Sequence, residues 1–162
     1  MKPFTGIVPP APEIVVPRFD NGRWHFEEQM GGKEFVGFVY VIYDNVLNRA
    51  YLGKKLYRGH GQVNKGLESD WRRYKSSSTL LKDMWKERPM SEFEFVCIEQ
   101  YRTKGALSYS ESWSLAFVEA PTTKYFYNTR LEGVSWKVSE AITIRHKQHL
   151  INLLERMNEN RI

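Results

Sequence analysis

Two short aromatic and β-branched runs separated by a polar turn constrain this chain most. Gly37 to Tyr43 reads as a strand, Asp44, Asn45 and Asn48 mark a turn, and Arg49 to Lys54 reads as the returning strand. A turn that short joins only antiparallel neighbours, so the sequence commits the middle of the chain to a β-hairpin. Two strands cannot bury enough surface alone and need a third strand or helices against them.

The rest of the chain supplies these. Ser76, Ser77 and Ser78 form an N-cap cluster for a helix over Thr79 to Glu87, which Pro89 helps to stop. Leu80, Leu81, Met84 and Trp85 have helical spacing and are expected to face the core. Phe93 to Ile98 reads as a third strand, and Thr103 or Lys104 opens a helix to about Glu119, before Pro121. Tyr125 to Thr129 is short and aromatic. A final helix is expected from about Ser139 to Met157, with an apolar stripe at Ile142, Leu150, Leu153, Leu154 and Met157. The fold class is therefore α+β: a small, mainly antiparallel sheet flanked by helices, with an N-terminal arm and a C-terminal helix. Residues 1–33 form a Pro-rich arm and a hairpin strand, in which Arg23 to Glu28 turns back through Met30-Gly31-Gly32-Lys33. Residues 34–130 form the central domain, and 131–162 a helical extension.

Composition narrows the function classes. The 162 residues include five Trp, nine Tyr and nine Phe, enough bulk for a core without staples. The single cysteine, Cys97, excludes an internal disulfide and a cysteine-based zinc finger, and it reads as a small core residue. Four scattered histidines make no zinc site, and His60 between two glycines reads as an exposed loop residue. No apolar run approaches the about 20 residues of a membrane span, so no membrane partner is expected. No signal peptide is evident, and a cytoplasmic setting is expected. A formal net charge of +5 tilts the chain toward a polyanionic partner.

The hairpin also carries the chemistry. Tyr40 and Tyr51 stand eleven residues apart on its two strands. The run from Gly37-Phe38-Val39-Tyr40 to Tyr51-Leu52-Gly53-Lys54 resembles the signature of the GIY-YIG nucleases, with the first glycine one place early. Further pieces follow in that family's order: Ser69 to Tyr74, the serine triplet, the third strand, Lys104 to Glu111 on a helix, and Tyr127-Asn128. The resemblance covers residues 35–130 and is similar to small endonucleases of bacteriophage genomes, which implies the cytoplasm of an infected bacterium.

The resemblance implies a DNA endonuclease leaving a 5′-phosphate and a 3′-hydroxyl. It implies Mg²⁺ (or Mn²⁺) on Glu111, a choice that suits an ion needing few protein carboxylates. One sign of Glu111 is independent: with Leu107, Leu115 and Val118 it shares a helical face, so a carboxylate interrupts an apolar stripe. The alternative is a capping box, Ser108 to Glu111, for a helix starting later. Tyr40 and Tyr51 are implied as the water-activating pair, against the plain alternative of packing tyrosines; Tyr74 is a further hydroxyl candidate. Asp70 stands where relatives carry an arginine, so Lys55 or Arg73 is expected to supply the positive charge. Lys54, Arg72, Ser77 and Asn128 are expected to bind nucleic acid or support the site. Arg145, His146, Lys147 and His149 on the last helix either track DNA or form a solvated face. Double-strand cutting by one centre calls for a homodimer or two visits. A catalytically inactive nucleic-acid-binding module on the same fold, and a structural protein whose charge is incidental, stand as the alternatives.

Overall fold

The computed structural model describes residues 19–59, 61–63, 65–131, 138 and 140–161. The hairpin forms as β1 (Gly37–Asp44) and β2 (Arg49–Leu56), paired in register from Gly37 with Leu56 to Asp44 with Arg49. A third strand, β3 (Phe93–Tyr101), pairs antiparallel with the other edge of β1, giving the order β2-β1-β3. Three helices complete the α+β fold: α1 (Thr79–Glu87), α2 (Lys104–Phe117) and α3 (Ile144–Glu159). No described helix is long and apolar enough to cross a membrane.

Every residue of β1 is buried, because both faces of the central strand are covered. Val39, Val41 and Tyr43 face a cluster built with Leu107 and Leu115 of α2 and Leu150 and Met157 of α3. Phe38, Tyr40 and Ile42 face a second cluster with Trp24, Trp71 and Leu81 of α1. The period of two thus sends alternate residues into two separate cores. Cys97 lies in the second core, and burial pushes its thiol pKa up.

Both glycines of the hairpin motif are steric requirements. A Cβ on Gly53 would lie 2.5 Å from the Tyr40 hydroxyl, its cross-strand partner. A Cβ on Gly37 would lie 2.3 Å from the Lys55 carbonyl oxygen and 2.8 Å from the Leu107 side chain. Only glycine lets these groups approach the backbone so closely.

Three expectations need correction. Leu80, expected to face the core from α1, is exposed. Arg23 to Glu28 forms no hairpin with the segment after Gly32. His25 instead makes a single parallel bridge to Val96, donating to Phe95 and accepting from Cys97, while Trp24 and Met30 fill the second core. The final helix starts later than Ser139, at Ile144, because Thr143 caps it by accepting from the His146 amide. Ser139, His60 and the arm up to residue 18 lie outside the described residues. At the opposite edge of the sheet, Tyr125 to Tyr127 bridges β2 through Ala50, so both outer strands are partly covered.

Candidate active site

The covered edge of β2 borders a groove of about 460 Å³, whose walls include Tyr51, Ser77, Glu111, Tyr127, Asn128 and Arg130. Three parts of the chain meet there: β2, the start of α1, and α2 with the segment after it.

Glu111 reaches the groove from α2. That helix starts at Lys104 with Thr103 as its cap, accepting from the Ala106 amide, which rules out the capping box at Ser108. Ser108 is an interior residue instead, and its hydroxyl accepts from the Lys54 ammonium at 2.8 Å. The same ammonium lies 3.9 Å from Glu111 Oε1. Leu107, Leu115 and Val118 of the Glu111 face all join the first core, so the carboxylate sits at its border, 7 % exposed.

Tyr51 enters from the other face of the sheet. It is half-buried against the second core and lines the groove. Tyr40 does neither. It is 1 % exposed, its ring centre lies 6.3 Å from that of Tyr51, and its hydroxyl donates to Ser76 Oγ at 3.3 Å. Burial, with Tyr74 close by, raises the Tyr40 phenol well above its ordinary pKa. The two tyrosines that the sequence made equivalent are thus separated: one borders the groove, the other lies beneath it as a neutral phenol.

Tyr74 packs edge-on against Tyr40 at 5.9 Å and carries the Lys55 ammonium 4.0 Å above its ring. Lys55 also pairs with Asp70 at 2.8 Å. That ion pair lowers the Asp70 pKa. Arg73 is exposed on the turn that begins at Asp70. Arg72 points elsewhere: it stacks on Trp71 at 4.3 Å and pairs with Glu68 and Asp20. None of Lys55, Arg72, Arg73 and Tyr74 lines the groove.

Asn128 is a structural clamp. Its side-chain amide accepts from the Leu52 N–H at 2.9 Å and donates to the Leu52 carbonyl at 2.7 Å, pinning the backbone beside Tyr51. Of the basic residues on the last helix, Arg145 pairs with Glu99 and Glu28, and His146 is fully buried.

Arg130 escaped the sequence reading, and Ser108 and Ser76 play parts other than the capping expected of them. Arg130, exposed, puts a guanidinium on the groove wall; only its place two residues after Asn128 hinted at it. Ser108 holds Lys54. Ser76 has φ of 94°, in the left-handed region that non-glycine residues rarely occupy. Its hydroxyl accepts from both the Tyr40 hydroxyl and the Ser78 amide, so a strained residue ties Tyr40 to the start of α1.

The donor set suits one kind of ion. Among the described residues no three His, Cys, Asp or Glu side chains gather into a cage. A lone carboxylate on a groove wall fits Mg²⁺, which binds through one or two carboxylates and completes its shell with water and phosphate.

The antiparallel hairpin thus puts a tyrosine on a groove that a glutamate from a later helix also lines. The family model described as "Putative endonuclease segE, GIY-YIG domain" matches residues 23–131, about two thirds of the chain. The chain belongs to the GIY-YIG endonuclease family. The family is one of nucleases, which implies DNA as substrate and a divalent metal. No curated protein and no solved structure matches the chain.

Proposed function

We propose that the chain is a metal-dependent DNA endonuclease that cuts one strand per event. The observation carrying this reading is the meeting of Tyr51 and Glu111, from opposite faces of the sheet, in one groove beside Arg130.

In this reading Glu111 holds Mg²⁺ or Mn²⁺, which when bound neutralises the scissile phosphate and eases loss of the leaving oxygen. The Tyr51 oxygen, as the phenolate, takes the proton of the attacking water and becomes the neutral hydroxyl. A phenol ordinarily titrates near 10, so this role needs positive charge nearby. Lys54, anchored by Ser108 against Glu111, contributes to that charge. Arg130 grips the phosphate and stabilises the charge that builds up on it. Ser77, at the start of α1, offers a hydroxyl to the neighbouring backbone phosphate. Asn128 is a positioning residue that fixes the Tyr51-Leu52 backbone. Tyr40 packs against Tyr51, and Tyr74, with the Lys55 ammonium on its ring, packs against Tyr40 in turn. Cutting both strands of a duplex then needs a second copy of the chain or a second visit.

One observation favours the alternative of binding without cutting: Lys55, in line to replace the missing arginine, is held by Asp70. Arg130 answers it by supplying the guanidinium from another direction.

Plasmid DNA incubated with the protein and Mg²⁺, beside Glu111→Gln and Tyr51→Phe, tests the reading. Metal-dependent nicking that both substitutions sharply reduce is the expected result. Salt-sensitive binding with no nicking by the wild type overturns it in favour of a binding module.

A further inference from the structure

Beyond the groove, the surface between the β1–β2 turn and Lys124 gathers cations. Arg49 lays its guanidinium 4.2 Å over the ring of Tyr127, itself a groove wall. Tyr125, two residues back, is flanked by Lys124 at 5.5 Å and Arg161 at 5.8 Å. Leu47, Asn48, Arg49, Lys124 and Tyr125 line a hollow of about 340 Å³ that contains no carboxylate. Among the described residues, no ion pair engages Arg49, Lys124 or Arg161. Arg49 Nε is buried and makes no hydrogen bond to the protein. A buried guanidinium nitrogen without an acceptor is costly unless a ligand supplies one.

The hollow on the other flank is built differently. Lys55 and Arg58 line it together with Glu68 and Asp70, so its charges cancel. Lys55 is spent on Asp70, and Arg58 donates to the Gly31 carbonyl. Of these two flanking hollows, a polyanion leaving the groove meets uncompensated positive charge in the one toward the turn.

We propose that Arg49, Lys124 and Arg161 form a second phosphate-binding subsite that holds the DNA backbone flanking the cut. The inference rests on the nuclease reading of the groove. The hollow adjoins the groove along the chain: Tyr125, which lines the hollow, lies two residues before Tyr127 and three before Asn128 of the groove wall. Cations interleaved with aromatic rings suit a track that binds phosphate irrespective of base sequence.

The test is binding of a labelled DNA duplex in EDTA across a salt series. Lys124→Gln/Arg161→Gln changes two exposed side chains and leaves folding intact; Arg49→Gln is read beside it. The double variant is expected to bind about tenfold more weakly near 0.1 M salt, with the log–log salt slope reduced by about two. The control Arg58→Gln/Lys65→Gln, on the opposite flank, keeps the wild-type slope. A Lys124→Gln/Arg161→Gln protein with the wild-type slope, or an equal loss in the control, overturns the subsite. Nicking assayed in parallel separates the two readings. A wild type that shows this binding pattern but never cuts refutes the nuclease and leaves the subsite standing.

Discussion

Two buried carboxylates, Asp44 and Glu111, show how the same chemical group serves two ends. Asp44, at the end of β1, is completely enclosed. Its oxygens accept from both Arg88 N–H groups at 2.6 and 2.7 Å, from the Tyr127 hydroxyl at 2.8 Å, and from the Val46 and Leu47 amides. Despite burial, which opposes ionisation, these donors hold its pKa down at about 2. Glu111 is nearly as buried but forms part of the wall of an open groove of about 460 Å³. Enclosure makes the first a structural lock; access makes the second available for chemistry.

Exchanging each for its amide breaks or sharpens this contrast. Glu111→Gln should lower nicking about 10³-fold, the scale of a lost metal contribution, and leave the melting temperature within a few degrees. Asp44→Asn should do the reverse. Removing one partner of a buried, hydrogen-bonded pair costs about 3–5 kcal/mol. Denaturant unfolding would register that loss, while the folded fraction keeps cutting. If Asp44→Asn silences the enzyme at full stability, the distinction between lock and site is wrong.

Acid titration separates a second lock from the first. His146 is fully buried, with Nδ1 accepting from the Tyr101 hydroxyl at 2.8 Å and Nε2 donating to Ser114 Oγ at 2.6 Å. The Ser114 hydroxyl spends its own proton on the Ser110 carbonyl, which fixes this tautomer. Burial depresses the His146 pKa from 6.5 to about 4. As pH falls below 6.5 the unfolded chain takes up the proton first, so the fold loses about 3 kcal/mol between pH 6.5 and 4. The lowered Asp44 pKa works in the next window: its contribution is complete above about pH 4 and is lost as pH falls toward 2. Chemical denaturation at intervals of half a pH unit should resolve the two steps, and His146→Gln should remove only the upper one.

The smaller effects concern the tyrosine pair. Tyr51→Phe should lower nicking about 10²-fold, the lower range for a lost general base. Tyr40→Phe gives up one hydrogen bond to Ser76 and should cost about 1 kcal/mol of stability, with nicking inside tenfold of wild type. Equal losses in both variants would return the tyrosines to the equivalence that the sequence suggests.

Much of the fold was legible because its signals are local. The hairpin followed from alternation and turn residues, and α1 runs over the expected Thr79–Glu87. Glu111 was visible as a charge on an apolar helical stripe. Long-range choices were not. Arg23 to Glu28 alternates like a hairpin strand, and only the exposed edge of β3 decides that His25 pairs there. Ser139 and Thr143 are both acceptable caps; packing of Leu150 and Met157 on the sheet selects the second. Tyr40 and Tyr51 look alike in sequence because their difference comes from the layer of Tyr74 and Ser76 laid over one of them. Lys55 looked available because Asp70, fifteen residues on, becomes its partner only through the intervening loop. Arg130 is one exposed cation among many until the groove forms around it.

The most direct trial of Glu111 as the metal-binding residue is a crystal grown with a short duplex and Mn²⁺, with the ion located by anomalous scattering. The reading requires an anomalous peak about 2.1 Å from a Glu111 carboxylate oxygen, with a phosphate oxygen in the same shell. A peak elsewhere in the groove, with Glu111 still turned to Lys54 and no ion beside it, would contradict it.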